Sequence, residues 1–268
     1  MSRRARVDAE LVRRGLARSR QQAAELITAG RVTIDGMPAA KPATAISVDA
    51  RLAVAAGEST WVSRGAHKLI GALDAFAVTV DGRRCLDAGA STGGFTEVLL
   101  NRDAREVVAV DVGYGQLAWS LRTDDRVTVM ERTNVRELTP ETIGGHVDVV
   151  VADLSFISLS TVLPALTSCA SPTADIVPMV KPQFEVGRER VGAGGVVSDP
   201  LLRAEAVRTV AHRAEALGWH TVAVTASPLP GPAGNVEYFL HLRADTDAAL
   251  TGLALDAAVG TAVEEGPQ

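Results

Sequence analysis

Cysteines, aromatic residues and long apolar runs are all scarce in this chain, and each scarcity removes a class of function. Only two cysteines occur in 268 residues. Cys85 and Cys169 lie far apart in apolar settings, so they read as buried, reduced thiols rather than a disulfide or a metal site. The five histidines are dispersed, and no metal is expected. Aromatic residues make up 4% of the chain, too few for a broad aromatic binding surface. No stretch of about 18 apolar residues occurs, which argues against a membrane span. The start Met1-Ser-Arg-Arg-Ala-Arg-Val-Asp8 lacks the apolar segment of a secretory signal. A cytoplasmic location is expected.

What is present suits a globular protein: 47% hydrophobic and 22% charged residues, on a chain long enough for an α/β core plus one small domain. Its net charge of −5 is unevenly spread. Residues 1–68 hold 12 Lys or Arg against 6 Asp or Glu, and the remainder holds 15 against 26. A basic head on an acidic body suits an anionic partner, although a solvated basic face has the same composition.

Three segments are expected: 1–56, a linker at 57–64, and 65–268. In the first, Val7, Leu11, Leu16 and Ala17 recur at near-helical spacing, and Ser19 is placed to cap a second helix over 20–29 that ends at Gly30. Val32-Thr-Ile34 reads as a strand and Asp35-Gly36 as a hairpin turn. Trp61 can pack against either neighbour. This succession resembles the S4 RNA-binding domain, on Arg6-Val-Asp8, Leu16-Ala-Arg-Ser-Arg20, Ala23, Leu26-Ile-Thr-Ala-Gly30, Val32 and Asp35-Gly36. The resemblance implies basic side chains facing structured RNA. The candidates are Arg3, Arg4, Arg6, Arg13, Arg14, Arg18, Arg20 and Lys41, since a guanidinium grips phosphate with two parallel hydrogen bonds.

The later segment alternates apolar runs with helical stretches, which predicts a Rossmann-like, mostly parallel sheet with helices on both faces. Helices are expected over 67–77, 93–101, 115–121, 158–170 and 201–217. Strands are expected over 84–87, 106–111, 127–131, 147–153 and 175–181, with an antiparallel pair at 220–227 and 236–242. The tail after Asp245 is weakly patterned and expected to fray.

After the first of these strands comes Asp87-Ala-Gly-Ala-Ser-Thr-Gly-Gly-Phe-Thr96. Gly89, Gly93 and Gly94 let backbone approach a ligand, and the following helix aims its N–H groups at it. Ser91, Thr92 and Phe95 belong to the same loop. Asp111, ending the second strand 24 residues beyond Asp87, stands where a carboxylate takes ribose hydroxyls. The glycines do not fit the dinucleotide pattern, and Asp87 suits a cationic sulfonium and amino group. The loop resembles that of the FtsJ-like ribose 2′-O-methyltransferases, which implies S-adenosylmethionine as methyl donor and S-adenosylhomocysteine as product. By the same resemblance Asn134 and Val135 lie along the adenine, and Asp153 also contacts the cofactor.

Charged residues also stand at strand ends: Asp153 after Val149-Val-Val-Ala, Lys181 after Ile176-Val-Pro-Met-Val, and Glu237 before Tyr238-Phe-Leu. Lys68 lies in the helix entering the domain. Beside apolar runs they must pair with one another. Together they match the Lys-Asp-Lys-Glu tetrad of that family. A lysine serves as general base only where its surroundings favour the neutral amine. Burial and a neighbouring cation, Lys68, would favour it at Lys181, while the two carboxylates oppose it and orient the groups. Transfer in line from sulfur to oxygen then rests largely on positioning. Phe156 reads equally as a base-stacking residue and as a core residue.

S4 domain, linker and FtsJ-like domain in this order resemble the TlyA family. Trp61-Val-Ser-Arg-Gly-Ala-His-Lys68, Asp111-Val-Gly-Tyr-Gly-Gln-Leu117, Asp153-Leu-Ser-Phe-Ile-Ser158 and Val180-Lys-Pro-Gln-Phe-Glu185 carry the match, from which Ser59 departs at a position often basic in the family. The resemblance implies 2′-O-methylation of cytidine in 16S and 23S rRNA, acting as a monomer on 30S and 50S subunits. The family's haemolysin label supplies an alternative, a membrane-active cytolysin, for which no Lys-rich amphipathic helix is found.

Overall fold

The computed structural model describes residues 4–17, 19–28, 30–55 and 61–267. The chain forms two compact units, Met1–Thr60 and Trp61–Gln268. Arg3, Arg18, Ala29 and Ser59 lie outside the described residues.

The first unit runs β1 (Arg4–Arg6), α1 (Val7–Arg13), α2 (Arg20–Thr28), β2 (Val32–Ile34), β3 (Met37–Pro38), β4 (Ala45–Ser47) and β5 (Leu52–Val54). Strands β1 and β4 pair, and β3, β2 and β5 form a second antiparallel sheet. Val7, Leu11, Ala23, Ile27, Val32 and Ile46 make its core. Ser19 caps α2 through its hydroxyl, which accepts from the Gln22 amide. Helix α1 is shorter than its apolar spacing suggests. It ends at Arg13, the chain turns, and the Leu16 and Ala17 amides both bond back to Leu11 O, which leaves Leu16 exposed.

The second unit continues with α3 (Gly65–Ala75), β6 (Arg84–Ala88), α4 (Gly94–Asn101), β7 (Glu106–Val110), α5 (Trp119–Arg122), β8 (Val127–Met130), β9 (Val147–Ala152) and α6 (Leu159–Cys169). It closes with β10 (Ala170–Val180), α7 (Pro182–Glu185), α8 (Pro200–Glu215), β11 (His220–Ala226), β12 (Tyr238–Arg243) and α9 (Gly252–Glu265). Seven strands lie in the order β11-β12-β10-β9-β6-β7-β8. All neighbours are parallel except those of β12, which runs antiparallel to both β10 and β11. Because strand side chains alternate, Leu86 and Ala88 face the layer of α6, α8 and α9, whereas Cys85 joins the layer of α3 and α4. Both cysteines are buried and free. Trp61 packs on the core of this unit.

Two expectations fail here. The stretch 115–121 is helical only from Trp119; before it the chain turns, with the Gly113 amide on Asp111 and the Gly115 amide on Glu131. The tail does not fray. Helix α9 buries Leu255, Val259, Ala262 and Val263, a stripe at helical spacing that small residues around it disguise in sequence.

Strand order reverses between β6 and β9: the chain winds outward through β7 and β8, then returns to start β9 on the other side of β6. Ligands of open α/β sheets lodge outside the C-terminal strand ends at such a reversal. The loop after β6 and Asp153 after β9 meet there.

Candidate active site

Gly89 follows β6 at φ +91°, and a Cβ built on it would stand 2.5 Å from the Asp153 carbonyl oxygen. Only glycine lets the loop lie this close to the end of β9. The loop is then tied to its neighbours. Gly89 and Ala90 amides bond Val110 O, the Asp153 amide bonds Ala88 O, and Ser91 N donates to Asp111 Oδ2 at 2.8 Å. Asp111 Oδ1 accepts from Gly113 N. Asp111 therefore braces the loop as well as facing the site.

A cavity of about 490 Å³ opens beside these residues. Of the residues expected from sequence to bind a cofactor, Gly89, Ser91, Asp111, Asn134, Val135 and Asp153 line it. Thr92, Gly94 and Phe95 instead line an adjoining recess of about 90 Å³, with Ser63 and Gly65. The Phe95 ring is buried and leans on Phe239, so its side chain belongs to the core. Gly93 lines neither space. At φ +99° it turns the chain into α4, hard against Leu117 and Leu121.

Asp87 differs most from expectation. It is fully buried beneath the loop and lines neither cavity nor recess; its Oδ2 accepts from Thr96 Oγ1 at 2.7 Å, and its Oδ1 has no partner. Burial pushes its carboxyl up to about 7, against the pull of the Thr96 hydroxyl. An orphaned acceptor under a glycine loop, with carboxylate and amide groups on the cavity wall, fits a ligand that carries a cation and nucleoside-type hydroxyls.

The four charged residues of the expected tetrad come together as two ion pairs. Lys68 on α3 pairs with Glu237; they are 5% and 1% exposed. Lys181 Nζ lies 2.6 Å from Asp153 Oδ1 and donates to Ser155 Oγ at 3.1 Å. Val180 is opposite Tyr238 in the sheet, so one further residue brings Lys181 beside Glu237. Lys68 is paired with Glu237, so its charge beside Lys181 is balanced by that carboxylate. Asp153 is the tetrad member that lines the cavity; Lys68, Lys181 and Glu237 are not among its lining residues.

Phe156 is 91% exposed, at φ +63°, which overturns its reading as a core residue. The segment carrying it is fastened to α7: Ser158 Oγ donates to Glu185 Oε2 at 2.6 Å, and the Leu159 amide donates to Oε1 at 2.7 Å. Ser63, Gln116, Ser155 and Glu185 were not singled out from sequence, although all four sit in the quoted motif phrases.

Among the candidate RNA contacts, Arg6 and Arg20 both donate to the buried carboxylate of Asp8, while their own side chains are about half exposed. Arg13 is exposed and pairs with Glu10. Arg4 and Lys41 are exposed. Arg14 is corrected to a structural role: it donates to Val48 O at 2.7 Å, to Ala50 O at 2.8 Å and to Glu10, which leaves no free fork for phosphate.

Among the described residues no helix is long and apolar enough to cross a membrane, and no group of three His, Cys, Asp or Glu is arranged to hold a metal.

Comparison with known proteins gives the same division. Residues 61–244 match the FtsJ-like methyltransferase model and residues 5–52 the S4 domain model. The chain is 72% identical, over all of both sequences, to a Mycobacterium tuberculosis protein named 16S/23S rRNA (cytidine-2′-O)-methyltransferase TlyA. It is 35% identical to Hemolysin A of Brachyspira hyodysenteriae, covering 88% of this chain and 98% of that one. A solved structure from Streptococcus thermophilus, named as a hemolysin, aligns with TM-score 0.76 and 37% identity over 99% of this chain and 98% of its own.

Proposed function

The chain belongs to the TlyA family of S4-bearing, FtsJ-like methyltransferases, and we propose that it methylates the ribose 2′-hydroxyl of cytidine in 16S and 23S rRNA. S-adenosylmethionine is the methyl donor. The substrates are the 30S and 50S subunits, and the enzyme works as a cytoplasmic monomer. The relative named for rRNA methylation shares 72% of its residues with this chain, which favours this reading over a membrane-active cytolysin.

One observation carries the chemistry: Lys181 pairs with Asp153, and Asp153 lines the cavity that the glycine loop borders. When bound, the donor supplies an electrophilic methyl group on sulfur. Gly89, Ser91, Asp111 and Asn134 would hold its nucleoside part. Asp87, buried below, compensates its positive charge through the loop. Lys181 takes the proton of the 2′-hydroxyl as that oxygen acquires the methyl group. Asp153 and Ser155 fix the direction of the Lys181 Nζ, and the Lys68–Glu237 pair holds β12 and α3 around it. Phe156 stacks on the base that is turned out of its helix. Arg4, Arg6, Arg13, Arg20 and Lys41, with Arg3 and Arg18, hold rRNA phosphates.

The test is to incubate the protein with labelled S-adenosylmethionine and unmodified subunits, then digest the RNA to nucleosides. Label in 2′-O-methylcytidine is expected; label on a base, or in protein only, contradicts the proposal.

A further inference from the structure

Beyond Phe156 lies a second cavity, of about 530 Å³, which shares Phe156 and Ile157 with the first and is otherwise walled by Ser158 and the segment 183–195. Nothing in the proposed chemistry uses it. Three of its side chains have complementary properties. The Phe184 ring stands 5.4 Å from that of Phe156, inclined by 48°, so it can offer a second aromatic face. Gln183 lines the cavity, and its buried amide oxygen has no hydrogen-bond partner. Arg188 on the rim is an exposed cation. An aromatic face, an amide edge and a guanidinium correspond to the three parts of a nucleotide: a base plane to stack, a base edge to bond, and a phosphate to neutralise.

The walls are held for such a task. Glu185 clamps α7 to the start of α6, and the Phe184 amide bonds Lys181 O at 2.9 Å. The two rings are thus carried by α7 and by the segment before α6, which are joined to each other and to the Lys181–Asp153 pair. Resting on the proposed function, we propose that this cavity is a second nucleotide subsite. It receives the nucleotide next to the methylated cytidine, with its base on Phe184, its edge on Gln183 and its phosphate near Arg188. Two nucleotides drawn out together, on either side of Phe156, would fix the acceptor ribose more firmly than one.

Steady-state methylation of unmodified subunits tests this. Phe184→Ala should lower kcat/KM about tenfold or more, the usual loss for one base–aromatic stack. Phe184→Trp should stay near wild type, and S-adenosylmethionine affinity should be unchanged in both. Arg188→Ala should flatten the dependence of log KM on log salt by about one phosphate contact. Wild-type rates in Phe184→Ala would overturn the subsite while leaving the proposed function intact. So would a Trp variant as weak as the Ala variant, or a parallel loss of cofactor affinity, either of which marks Phe184 as structural. If the wild type transferred no methyl group to either subunit, the proposed function would fail, and the subsite with it.

Discussion

Lys181 Nζ lies 2.6 Å from Asp153 Oδ1, so the proposed proton acceptor rests as half of an ion pair. An ammonium cannot accept a proton. The step therefore needs the neutral amine, and methyl transfer should accelerate as pH rises until that form predominates. Lys181→Arg separates this role from simple charge, because a guanidinium keeps its proton. Activity in Lys181→Arg should be as low as in Lys181→Ala. Recovery to within tenfold of wild type would assign Lys181 an electrostatic role instead.

Lys68 and Glu237 are both buried, and removing one partner strands the other's charge at a cost of about 3–5 kcal/mol. Lys68→Met should lower the melting temperature markedly. The double variant Lys68→Met/Glu237→Gln should recover much of that stability without recovering activity. A single variant that melts like wild type would show that the pair does not hold the domain together.

Asp87 couples stability to pH. Its carboxyl is pushed up to about 7 in the fold, above the ordinary carboxylate range of the unfolded chain. The folded state keeps the proton that the unfolded state releases, so the contribution of Asp87 to stability is greatest in acid and declines as pH rises through about 4 to 7. Melting temperatures across this range should show a component of that sign, lost in Asp87→Asn. An unchanged pH profile in Asp87→Asn would remove the assignment.

Arg6 and Arg20 share Asp8, which leaves a net positive, pre-oriented pair of guanidiniums, whereas Arg14 is spent on backbone carbonyls. Arg6→Ala and Arg20→Ala should each weaken subunit binding and reduce its salt slope by about one, with little change in melting temperature. Arg14→Ala should lower melting temperature with little change in that slope. The reverse pattern would exchange their roles.

These contrasts mark what the sequence could reveal. The apolar runs and the glycine loop made the sheet legible, and Lys68, Asp153, Lys181 and Glu237 stood out because charges beside apolar strands need partners. Which lysine meets which carboxylate depends on the register of β10 against β9 and on where α3 carries Lys68, which no local pattern encodes. Asp87 read as a ligand contact because its depth below the loop is set by packing of α4. Helix α9 escaped notice because alanines and glycines blur its apolar stripe. Glu185 was silent because its partners, Ser158 and Leu159, are 26 or more residues away.

In the proposed reaction the Lys181–Asp153 pair activates a ribose hydroxyl beside a bound methyl donor. This activation is tested most directly by transfer of labelled methyl from S-adenosylmethionine to unmodified subunits by wild type, Lys181→Ala and Asp153→Ala, with donor affinity measured alongside. The account predicts activity in the wild type, near-complete loss in both variants, and retained donor binding in Lys181→Ala. Full activity in either variant, or loss in Lys181→Ala explained entirely by lost donor binding, would contradict it.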